Sequence, residues 1–134
     1  MSKRTFIVFG ILILVLAVLI PWLTFRSKGD ANTGALQVAS NLKSGQELFE
    51  INCGNCHVLY SAGTTGNYGP DLDELLAPAG PVPEDQVETT AKRVLSAIEN
   101  GVDGSAPGRM PGGILNESQA EEVAAFVAAT AGEG

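Results

Sequence analysis

The chain's two cysteines and its one histidine all fall in the five residues Cys53-Gly54-Asn55-Cys56-His57. Two thiols three positions apart at a helix start can each add across one vinyl group of a single porphyrin, tethering it twice. An imidazole on the next residue then lies under the ring, where it can coordinate the iron. The CxxC spacing also serves other chemistries. A thiol–disulfide exchange pair needs a strand–helix–strand setting, and no such alternation surrounds Cys53. A zinc site takes four ligands as a rule, and no further Cys or His remains. A structural disulfide between Cys53 and Cys56 closes too short a loop to stabilise much. Haem attachment is the chemistry that uses all three side chains.

A six-coordinate electron-transfer haem takes a Met or a His opposite the proximal His. With no second His, the choice falls between Met1 and Met110. Met1 precedes an apolar segment far from the motif. Met110 sits in Gly108-Arg109-Met110-Pro111-Gly112-Gly113, a Gly/Pro-rich loop and not the apolar helix face expected of a core methionine. Ligation by His57 and Met110 leaves the iron no open position and raises its potential. The chemistry expected is one-electron transfer without a small-molecule substrate, so the chain is not expected to be an enzyme.

Four ordered signals, Cys53-Gly54-Asn55-Cys56-His57, Gly69-Pro70-Asp71-Leu72, Met110-Pro111 and an apolar C-terminal helix carrying Phe126, span residues 42–131. In this order they resemble the small monohaem cytochromes c of the His/Met-ligated, class I type. The resemblance implies an all-α, cytochrome c-like helical domain around one haem c, bound covalently through Cys53 and Cys56. It implies that the Pro70 carbonyl accepts the His57 N–H, fixing the ring, and that Gly45 lets the first and last helices of the domain cross closely, with Phe126 as aromatic partner. It also implies that the haem is attached outside the cytoplasmic membrane.

The rest of the chain must position these residues. Residues 1–26 read as an N-terminal transmembrane anchor. Phe6 to Leu23 contain only apolar residues, Gly10 and Pro21, behind Lys3 and Arg4. The stretch from Ile7 to Phe25 is about 28 Å long as a helix, close to the bilayer's hydrocarbon thickness. Contact with lipid is expected through residues 5–25. The run is longer than a signal peptide's and lacks its small-residue cleavage site, so it is expected to stay attached. Residues 27–41, small and polar, read as a flexible tether, and residues 42–134 as the haem domain. Ser44 and Glu47 have capping-box spacing before a first helix, as do Asn116 and Gln119 before the last, which runs through Ala131. Glu84 to Asn100 read as an amphipathic helix burying Val87, Ala91, Val94, Leu95 and Ile98, stopped by Gly101. No strand alternation is visible. Asp71, Asp73 and Glu74 read as a solvated helix start.

Residues 42–134 hold 14 Asp or Glu against 4 Lys or Arg, a net −10, while residues 1–41 carry +3. Such a domain is steered away from nucleic acid and toward redox partners with basic docking surfaces. The expectation is a single-pass protein of the cytoplasmic membrane, its haem domain on the extracytoplasmic side, carrying single electrons between respiratory-chain or related partners. Two other readings share these residues: a cytochrome subunit docked permanently in an oxidase or dehydrogenase complex, and a haem-based gas or redox sensor in which Met110 leaves the iron easily.

Overall fold

The computed structural model describes residues 3–26, 38–104 and 108–134. They fall into two units, divided between residues 26 and 38. The first is one helix, α1 (Lys3–Arg26), of 24 residues with Pro21 inside it. Its described side chains are Lys3, Arg4 and those of residues 7–22, all exposed. Among the described residues no helix is long and apolar enough to cross a membrane; the described side chains of α1 stop short of the expected span, which ran to Phe25. The expected tether, residues 27–41, lies outside the described residues up to position 37.

The second unit contains α2 (Lys43–Asn52), β1 (Val58–Leu59), a 3-10 turn (Tyr60–Ala62), β2 (Thr64–Thr65), α3 (Leu72–Leu76), α4 (Glu84–Asn100) and α5 (Glu117–Thr130). The short antiparallel pair β1–β2, in the register Val58↔Thr65 and Leu59↔Thr64, departs from the expected all-helical pattern. Strands of two residues are too short to leave an alternation in the sequence.

α5 forms the spine. Ala120, Val123, Ala124, Phe126, Val127 and Ala128 are all buried, and α2 and α4 pack on it. Asn116 Oδ1 accepts from Gln119 N–H at 3.0 Å, and Gln119 Oε1 accepts from Asn116 N–H at 3.3 Å, the expected capping box. Phe126 is fully enclosed, its ring set edge-on to Phe49 of α2 at 6.1 Å between centroids. The two helices meet at Gly45. A Cβ there would run into the Glu122 carbonyl and lie 2.8 Å from Phe126 Cβ.

This close crossing overturns the capping box expected at Ser44. α2 begins at Lys43 with Leu42 at its N-cap and no side-chain cap. Ser44 Oγ instead donates to the Glu122 carboxylate of α5. With α5 drawn in against Gly45, a carboxylate becomes the nearer partner for the hydroxyl.

α4 shows the expected face, but of that face only Ile98 is buried, while Val87, Ala91, Val94 and Leu95 are half-buried. Val94 and Ile98 line a cavity rather than a filled core, which leaves the helix amphipathic yet poorly covered. Gly101, at φ +73°, ends it by donating to the Ala97 carbonyl at 2.9 Å.

Candidate haem site

The Cys53–His57 segment lies at the end of α2 and not at a helix start. Its backbone folds into tight turns: Cys53 N–H reaches Phe49 O at 2.8 Å, Cys56 N–H reaches Cys53 O at 3.0 Å and His57 N–H reaches Cys53 O at 2.9 Å. These turns bury Cys53 and leave Cys56 exposed. Burial, reinforced by the neighbouring Cys56, pushes the Cys53 thiol up to about 11. Redox CxxC pairs work the other way, through a lowered thiol pKa, so the pair is a poor exchange dithiol. Cys53, Cys56 and His57 do not converge on a point able to hold a metal ion, which disfavours a zinc half-site.

His57 is seated by the loop that follows. Gly69 N–H bonds the Cys56 carbonyl at 2.7 Å, and Gly69 lies so close under the imidazole that a Cβ would stand 2.5 Å from His57 Cε1. Pro70 O lies 2.9 Å from His57 Nδ1. A carbonyl only accepts, so Nδ1 carries the proton and Nε2 keeps its lone pair for a metal. That contact also orients the ring.

The acidic cluster after Pro70 is structural. Asp71 Oδ1 accepts from Asp73 N–H at 2.9 Å and Glu74 N–H at 3.2 Å, capping α3. Asp73 ties three segments, its carboxylate accepting from Tyr60 N–H at 2.8 Å and Gly132 N–H at 2.7 Å. Behind it, Ser61 Oγ donates to Thr130 Oγ1 at 2.7 Å, and that hydroxyl donates to Phe126 O at 2.9 Å. This buried hydroxyl chain joins the loop beyond His57 to α5. The Asp73 and Ser61–Thr130 ties are not legible in the sequence, because they join residues 13, 59 and 69 positions apart.

Met110 is held by backbone. Val102 and Met110 exchange N–H···O bonds of 3.0 and 3.1 Å, and Gly113 N–H closes the loop onto Ile98 O at 2.9 Å. Arg109 Nε reaches Asp103 Oδ1 at 3.1 Å, but both side chains are mostly exposed, and such a pair contributes little. The ladder, not the ion pair, positions Met110.

All five residues singled out from the sequence, Cys53, Cys56, His57, Pro70 and Met110, line one cavity of about 1310 Å³. Its walls include the core side chains Phe49, Ile98, Val123 and Val127. That volume exceeds the roughly 300–1,000 Å³ of common ligand pockets. Two thiols, an imidazole with a free Nε2, a thioether and apolar walls are a donor set that suits a covalently tethered metalloporphyrin.

Fold and site together define a small helical haem-binding domain. A family model for cytochrome c matches residues 42–131, and the chain belongs to the cytochrome c family. Its cofactor is haem c, bound covalently through the CxxCH motif of Cys53 and Cys56, and the chemistry of the family is electron transfer. Among solved structures, the c-type cytochrome SorU from Sinorhizobium meliloti is 36% identical over 69% of this chain and 92% of that one, with a TM-score of 0.49. At that TM-score the structural likeness adds nothing to the family match. No curated protein matches.

Gly69→Ala is expected to push the imidazole off Pro70 and destabilise the haem-bound protein by about 1–3 kcal/mol, the usual cost of overpacking. Urea denaturation followed at the haem absorption measures it. An unchanged midpoint would show that the glycine does not seat the ring.

Proposed function

We propose that this cytochrome c is a membrane-anchored carrier of single electrons between respiratory-chain or related redox partners, with its iron held by His57 and Met110. The observation that carries the reading is the meeting of both side chains at one cavity, each fixed by main-chain hydrogen bonds. Haem c, when bound, supplies a one-electron couple at its iron. Cys53 and Cys56 would tether it by thioether bonds. His57 Nε2 and Met110 Sδ would hold the iron, leaving it no open position for oxygen or substrate. Pro70 would hold the His57 ring in place throughout, and the Val102–Met110 ladder would keep the thioether from wandering. Rigid ligands of this kind favour electron transfer over a sensor, which needs a ligand that leaves.

The anchor rests on α1. Its 24 residues make a helix of about 36 Å. Every side chain from Ile7 to Trp22 is apolar, apart from Gly10, and exposed. Apolar surface on that scale marks an interaction site such as a membrane. Since c-type haem is attached outside the cytoplasmic membrane, the domain belongs on the extracytoplasmic side. Its net charge of −10 over residues 42–134 favours basic docking surfaces on its partners.

In the reduced protein at neutral pH, carbon monoxide is expected not to bind, whereas Met110→Ala binds it readily. Binding of equal strength in both would place an open iron in the native protein and favour sensing. After an alkaline carbonate wash of cell membranes, the full chain is expected to stay in the pellet. Release into the wash would remove the anchor.

A further inference from the structure

Tyr68 and Gly108 stand on the two loops that serve the site. Tyr68 is two residues before Pro70, which accepts the His57 N–H, and Gly108 is two residues before Met110. Both line the cavity. The Tyr68 ring lies flush against Gly108: a Cβ at that glycine would run into Cε1 and stand 2.8 Å from both Cζ and Oη. No side chain other than hydrogen fits under the ring where it sits. Tyr68 is nevertheless 54% exposed as a residue, so its place is not dictated by burial in the core.

We propose that Tyr68 is a positioning residue that braces the Met110 loop against the Pro70 loop and so sets how readily Met110 leaves the iron. The brace rests on the reading of Met110 as axial ligand. The Val102–Met110 ladder fixes the loop on the α4 side through two hydrogen bonds, while the stretch before Met110 has Gly108 as its contact with the Tyr68 ring. Removing the ring frees that side of the loop without touching the ladder. Adding a methyl at Gly108 displaces the ring and has the same effect.

The test follows replacement of Met110 by cyanide in the ferric full-length protein, in which the iron–sulfur bond breaks, an iron–carbon bond forms and the iron stays ferric. The near-infrared band of sulfur bound to ferric iron reports it. Tyr68→Ala and Gly108→Ala are expected to speed the loss of that band by about fivefold or more, a factor in line with a substitution of ordinary size. Tyr68→Phe, which keeps the ring against Gly108, is expected to retain the wild-type rate. Haem content and the starting band of Tyr68→Ala are expected to match wild type, which separates a brace from a folding defect. A wild-type rate in Tyr68→Ala overturns the brace, as does a Tyr68→Phe variant as fast as Tyr68→Ala. If the wild-type protein itself lacks the band, the Met110 ligation fails and the brace with it.

Discussion

The domain depends on filling a space its own side chains leave open. The described core has two phenylalanines, Phe49 and Phe126, and is otherwise small: six of its thirteen buried apolar residues are alanines. Beside it the helices and loops frame an open cavity of about 1310 Å³. Interiors are normally packed to crystal-like density, and a void forfeits the contacts of every atom that faces it. A domain of this size has little apolar burial to spare. The bound porphyrin is therefore a structural element, and the half-buried face of α4 makes sense only with it in place.

The chain holds the two sides of that space by different means. The proximal side is over-determined: tight turns after α2, Gly69 beneath the imidazole and the Pro70 carbonyl on Nδ1 leave His57 one orientation. Asp73 and the Ser61–Thr130 pair lash this side to α5 and the residues after it. The Met110 side rests on one two-bond ladder, the closure of Gly113 onto α4 and the Tyr68–Gly108 contact. The asymmetry suits the proposed carrier, in which His57 would stay on the iron while Met110 would tune its potential.

Much of this was legible in the sequence because the chemistry is local. Cys53, Cys56 and His57 are nearly adjacent, and helices α4 and α5 announce themselves by periodicity and by the caps at Gly101 and Asn116. What the sequence hid was set by tertiary contact. Ser44 has the spacing of a capping box, yet its hydroxyl goes to Glu122 because Gly45 brings α5 within reach. The edge-on packing of Phe126 against Phe49 likewise exists only once α2 crosses α5. The Asp73 ties and the Tyr68–Gly108 contact join segments whose proximity only the fold creates.

The central claim is that the helices of residues 38–134 hold together because the haem occupies their cavity. Amide hydrogen exchange of α4 and α5 in the full-length Cys53→Ser/Cys56→Ser protein, purified free of haem, tests it most directly, because it reads the domain apart from the helical signal of α1. These amides are predicted to exchange without the protection they have in the haem-bound protein. Equal protection in both would contradict the claim, since the core would then stand on its own side chains.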